Sequence, residues 1–157
     1  MRRSDRAITK REEILEVLNK CDVIRLGINT HDYPYIVPLN FGVEDTKPLL
    51  TIYLHSATEG LKLDLISKDS RVGFEADCSH RLIVGDVACD YTMEYESVIG
   101  CGVISVRDDD EWKKRGLQAI MRHYDPERVF DFTEQQLAAV CILQIDVTRI
   151  TGKRLKR

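Results

Sequence analysis

Nowhere does this sequence hold an apolar run approaching the roughly 20 residues that cross a bilayer. Its opening stretch, Met1 to Lys10, is polar and lacks the apolar centre of a signal peptide. A membrane partner is therefore not expected, and a cytoplasmic protein is. A surplus of one charge is missing too: 23 basic residues face 26 acidic ones, a net of −3, so no strong overall field draws in nucleic acid. The five cysteines, Cys21, Cys78, Cys89, Cys101 and Cys141, are scattered and odd in number, unlike the dense framework of a small secreted domain, and are expected as reduced thiols. Cys78, His80 and Cys89 stand near one another without a CxxC or HxxxH pair, so no metal site is expected. Repeats, low-complexity tracts and a second linker-bounded unit are also missing. A chain of 157 residues, 43% of them hydrophobic, can bury a core of its own, and residues 1–157 read as a single domain.

What is present is short-range apolar patterning. Thr9 with Glu12 reads as a capping box, and Ile14, Leu15, Val17 and Leu18 form a stripe at helical spacing, predicting a helix over about 10–20. Short β-rich runs follow, Val23 to Asn29, Tyr35 to Val43 and Leu49 to His55, an antiparallel meander. Ser56 with Glu59 suggests a second capping box leading into a short helix, and Arg71 to Ala76 returns as a strand. Asp77 to Thr92 has no firm period and reads as a loop with a short strand around Leu82 to Val84. Met93 to Arg107 is a long strand in which Gly100 and Gly102 suggest a bulge of the kind that closes a barrel. A helix over about 109–123 starts on three aspartates, Thr133 with Gln136 caps a shorter one, and Val140 to Ile150 alternates as a final strand. Six strands with helices inserted and no regular βαβ alternation predict a mainly β, α+β architecture, an antiparallel six-stranded barrel with peripheral helices.

Three segments carry residue types suited to chemistry. In Val37-Pro38-Leu39-Asn40-Phe41, proline cannot donate to a ladder, so Pro38 implies an edge or bulge whose backbone is free for a flat ligand; a plain edge strand with Asn40 hydrogen-bonded locally is the plainer alternative. In His55 to Lys62 a strand delivers a polar turn onto a helix N-terminus, where free N–H groups, the helix dipole and Lys62 suit a phosphate. The glycine spacing of a Walker A loop is absent, and Ser56 as a cap with Lys62 as a solvated side chain is the plainer alternative. In Met93 to Gly102 the third glycine of a dinucleotide fingerprint is missing, while Tyr95 and Ser97 fit either a site or ordinary cross-strand packing.

Taken in order, Arg11 to Leu18, Val23 to Gly27, Tyr35 to Gly42, His55 to Lys62, Tyr95 to Gly102 and Ile150 to Lys153 resemble the nitroimidazole-resistance branch of the pyridoxamine 5'-phosphate oxidase-like flavoproteins, over nearly the whole chain. The resemblance implies a split-barrel homodimer with FMN at the subunit interface. The strand matching Val37, Pro38, Leu39, Asn40 and Phe41 would lie along the flavin ring. His55, Ser56 and Lys62 match positions near the flavin and its phosphate, Tyr95, Ser97 and Val98 match a strand lining the same site, and Lys153 is a further candidate. The arginine and lysine that the vitamin-synthesising oxidases use after their third strand are replaced by His55 and Lys62, which argues against pyridoxamine phosphate oxidation itself. The resemblance thus implies an FMN-dependent oxidoreductase that takes electrons from NAD(P)H and reduces a small organic acceptor such as a nitroaromatic, with His55 as candidate proton donor. A flavin or haem carrier or sensor without turnover is the competing expectation.

Overall fold

A computed structural model describes residues 4–156. Its strands are β1 (Ala7–Ile8), β2 (Ile24–Ile28), β3 (Tyr35–Leu39), β4 (Gly42–Thr46), β5 (Leu49–Ser56), β6 (Arg71–Ile83), β7 (Thr92–Arg107) and β8 (Cys141–Leu155). The helices are α1 (Arg11–Lys20), α2 (Leu61–Lys68), α3 (Asp110–Tyr124) and α4 (Glu134–Ala138). Every pairing is antiparallel, in the order β3-β2-β6-β7-β8-β5-β4, with β1 added to β8.

The strand order makes this sheet a barrel. β3 and β4 lie at opposite ends of the path, and a flat sheet would hold them roughly 29 Å apart. Yet only Asn40 and Phe41 join them, and three residue steps reach about 11 Å at most. The sheet must therefore curl until its two edges approach. Tyr124 pins the crossing: its hydroxyl accepts from Asn40 Nδ2 at 3.1 Å and from the Phe41 N–H at 3.2 Å, and donates to the Asp22 carbonyl at 2.7 Å. The continuous strand expected over Tyr35 to Val43 is thus two strands. With the short β1, this raises the count from six to eight within the same architecture. Periodicity could not detect the break, because both halves alternate and only their partners differ.

The interior is filled by residues alternating inward, among them Ile24, Leu26 and Ile28 of β2, Ile52 and Leu54 of β5, and Leu143 and Ile145 of β8, closed at one end by Val17 and Leu18 of α1. Each fully buried side chain of this kind contributes about 1.5–3 kcal/mol. A second cluster, Tyr53, Ala119, Ile120 and Ile142, lies outside the barrel wall beneath α3. The helix sits close because two glycines admit it. A Cβ on Gly42 would lie 2.3 Å from the Ala119 carbonyl carbon, and one on Gly116 would lie 2.7 Å from Ile142.

Several local expectations change. α1 begins after Lys10, without a side-chain cap, because Ala7 and Ile8 pair with Lys153 and Gly152 and hold the preceding chain extended. Ser56 caps no helix; it ends β5, paired with Cys141, and α2 starts from Gly60. Asp77 to Thr92 is largely a hairpin rather than a loop: β6 continues to Ile83 through an irregularity between Cys78 and Arg81, where Ser79 has φ 59°. Conversely, the Thr133–Gln136 capping box is present and Asp109 caps α3 through the Trp112 N–H. A register shift does fall at Cys101 and Gly102, opposite Thr148 of β8. β8 runs to Leu155, five residues beyond the expected end at Ile150, through its ladder with β7.

Candidate functional site

The end of β5, the turn that follows and the start of β8 form the first cluster. On β5 alternate residues face the barrel interior, and Tyr53, on the other face, lies beneath α3. His55 shares that outer face and is exposed. Neighbouring protein atoms nevertheless disfavour its imidazolium, and the Lys62 charge adds to this, so its pKa lies below the ordinary histidine value. Ser56 is nearly buried, and none of the described residues hydrogen-bonds its hydroxyl.

Lys62 stands half-buried in the first turn of α2, and burial lowers its pKa, with the Cys141 thiol opposing. Among the described residues no carboxylate pairs with it. The backbone beside it is equally free. Gly60, the N-cap, adopts φ 129° and provides no side chain; its carbonyl takes the N–H groups of Leu63 and Asp64, leaving those of Leu61 and Lys62 without a partner among the described residues. Two free N–H groups at a helix N-terminus, an unpaired ammonium and a nearby imidazole are donors of the kind an anion uses. Sequence reasoning assigned the cap to Ser56 and so missed Gly60, although a glycine directly before Leu61 is an acceptable N-cap signal. It also missed Cys141, which only the β5–β8 pairing brings to Lys62.

The Val37 to Phe41 segment approaches the same end. Gly42 pairs with Tyr53, two residues before His55 on β5. Val37 and Leu39 are half-buried, Pro38 and Asn40 exposed, and Pro38 sits on an edge strand opposite Arg25. The Phe41 ring is fully buried against His123, with centroids 4.4 Å apart, so this residue presents backbone rather than side chain to the crossing.

Tyr95, Ser97, Val98 and Lys153 form a separate group. Ser97 pairs with Lys153 across β7 and β8, Tyr95 and Ser97 are half-buried, and Val98 is in the core. Between Cys141 and Lys153 lie about 40 Å of strand, so this group and the His55–Lys62 cluster occupy opposite ends of β8. The face of β3, β2, β6 and β7 carries exposed apolar residues. Ile36, Ile99 and Val103 are exposed there, around a shallow cleft of about 340 Å³ lined by Arg25, Gly27, Ile36, Gly73, Phe74 and Glu75. Among the described residues no group of three or more His, Cys, Asp or Glu is placed to hold a metal ion; His80 instead meets Asp77 at 2.6 Å. Nor is any helix among them long and apolar enough to cross a membrane.

An antiparallel split barrel of this strand order defines a class of proteins, and the comparisons identify it. The family model described as pyridoxamine 5'-phosphate oxidase matches residues 10–154, and the chain belongs to that family. A candidate 5-nitroimidazole antibiotic resistance protein from Bacteroides thetaiotaomicron is 30% identical, with TM-score 0.81 over 94% of this chain and 85% of that one. The flavocytochrome Anf3 from Azotobacter vinelandii, 15% identical, superimposes with TM-score 0.83 over 100% of this chain and 72% of its own. An FAD and heme binding protein from Mycobacterium smegmatis, 18% identical, does so with TM-score 0.83 over 97% and 74%. These last two likenesses are of fold. No curated protein sequence matches the chain.

Proposed function

We propose that this chain binds FMN, with the flavin phosphate on the free N–H groups of Leu61 and Lys62, the Lys62 ammonium and the Ser56 hydroxyl. The observation that carries this reading is the half-buried Lys62 without a carboxylate partner at an uncapped helix start. A buried cation is costly unless paired, and a phosphate supplies both the counter-charge and acceptors for the free donors. The relative at 30% identity is a nitroimidazole-resistance candidate, and the flavin-binding neighbours of the same fold add weight. From its place on β5 near Lys62, His55 orients the bound molecule and can hold a proton near it. The Val37 to Asn40 backbone on the edge strand offers donors and acceptors to a flat ring.

We infer in addition that the protein works as a homodimer. One ligand cannot touch both ends of a strand the length of β8, so the Ser97–Lys153 group would reach the flavin only from a second chain. The exposed apolar outer face supplies the surface for that association. Bound flavin supplies hydride and single-electron chemistry; the protein's part is to bind, orient and exclude water. The reaction we assign is reduction of a small organic acceptor, with nitroaromatics as the substrate class and NAD(P)H as donor. The test is direct. The purified protein should be yellow, yield FMN by mass on extraction, bleach with NADH or NADPH, and recolour when a nitroimidazole is added under anaerobic conditions. A colourless protein that takes up no FMN overturns the binding reading. Flavin that neither donor reduces leaves binding intact and makes the protein a carrier or sensor.

A further inference from the structure

Away from that site, α1 meets the irregular part of β6, and two cysteines come together there. Cys21 is the C-cap of α1 and fully buried; Cys78 is half-buried on β6. The Cys21 N–H turns to the Leu18 carbonyl at 3.1 Å, and the Val17 carbonyl receives the Cys21 thiol at 3.2 Å and the Cys78 thiol at 4.0 Å. Two thiols on one acceptor are two neighbouring sulfurs. The remaining cysteines are placed otherwise: Cys141 donates to Ala57, Cys101 meets Thr148, and Cys89 is exposed.

We propose that Cys21 and Cys78 are a dithiol that hydrogen peroxide converts to an intramolecular disulfide. The order of events follows from access. Cys78 lines a cleft of about 390 Å³ with Lys20, Arg25, Asp77, Ser79 and His80, so it is the sulfur that meets the oxidant. Its sulfur attacks one peroxide oxygen, the O–O bond breaks, and Cys78 becomes a sulfenic acid as one water leaves. The Cys21 sulfur then attacks the Cys78 sulfur, the S–O bond breaks, the second water leaves, and the S–S bond forms. Two thiols are oxidised by two electrons and one peroxide is reduced to two waters. The backbone can accommodate the approach of the sulfurs, because the β6–β7 ladder is already interrupted between Cys78 and Arg81 and Ser79 sits in the left-handed region. The product removes both S–H donors from the Val17 carbonyl, so oxidation loosens the last turn of α1.

The experiment uses the whole protein, reduced, desalted and treated with an equimolar amount of hydrogen peroxide, then alkylated and digested with trypsin without reductant. The expected product joins residues 21–25 to residues 72–81, about 2 Da lighter than the two free peptides together. Cys21→Ser retains a hydroxyl for the Val17 carbonyl and should arrest the reaction at the Cys78 sulfenic acid, trapped as its dimedone adduct. Recovery of both peptides fully alkylated after peroxide overturns the proposal. So does over-oxidation of Cys78 with Cys21 still free, or a dominant cross-link through Cys89.

Discussion

Replacing Glu96 by glutamine should destabilise the protein at neutral pH, and the difference should fade in acid. Glu96 is 1% exposed on β7 and receives Lys20 at 3.0 Å, Ser79 at 3.1 Å, Lys156 at 3.3 Å and the Arg154 guanidinium. These contacts join the end of α1, the β6 irregularity and the end of β8. Burial alone would raise the carboxyl's pKa, but the donors from Lys20, Arg154 and Ser79 prevail and hold it down at about 2. A depressed carboxylate pKa contributes stability that is complete above the unfolded value near 4.5 and is lost as the pH falls through the folded value. The full shift corresponds to about 3 kcal/mol. Since Lys20 and Lys156 are 44% and 60% exposed, screening reduces this to about 1–3 kcal/mol. Urea unfolding followed by far-UV circular dichroism should place the Glu96→Gln midpoint on the order of 1 M below the parent at pH 7. By about pH 3 the gap should shrink by more than half. Equal midpoints at pH 7, or a gap constant between the two pH values, would refute the account of this cluster.

Gly42→Ala forces a methyl group to 2.3 Å from the Ala119 backbone, which must move α3; a loss of about 1–3 kcal/mol in thermal or urea unfolding is expected, and parental stability would show that the helix is not so closely seated. Gly60→Ala has open space around the new methyl but keeps φ 129°, so it should cost about 1–3 kcal/mol of backbone strain and weaken FMN binding by turning the free N–H groups; unchanged FMN titration contradicts their role. His55→Gln should retain FMN. If His55 supplies the proton during acceptor reduction, stopped-flow reoxidation of the loaded, reduced variant by a nitroimidazole slows by about 10² to 10⁴-fold, and an unchanged rate per bound flavin reduces His55 to a binding contact.

Features set by neighbours in sequence were legible from the residues. The Thr133–Gln136 box, the Asp109 cap, the inward alternation of Cys141, Leu143, Ile145 and Val147, and the glycines at the β7 irregularity all depend on spacings within one element. Features set by pairing partners were not. Thr9 and Ser56 have capping chemistry, but β8 holds each stretch in a ladder, directly at Ser56 and through Ala7 and Ile8 ahead of Thr9, and moves the helix starts to Arg11 and Leu61. The passage from β3 to β4 depends on Tyr124, more than eighty residues away. For the candidate site, Lys62 and His55 stood out by residue type. The free N–H groups, the Gly60 cap and the Cys141 neighbour required the fold.

Titration of FMN and of riboflavin into the apoprotein and into its Lys62→Ala variant, followed by flavin fluorescence, tests the central claim most directly. Riboflavin shares the ring and side chain but lacks the phosphate, so it separates the helix-start site from every other contact. Loss of a charge-assisted hydrogen bond of about 1.5–3 kcal/mol should weaken FMN by roughly one to two decades and leave riboflavin essentially unchanged. Equal weakening of both ligands, or no change for FMN, would contradict a phosphate held at the start of α2.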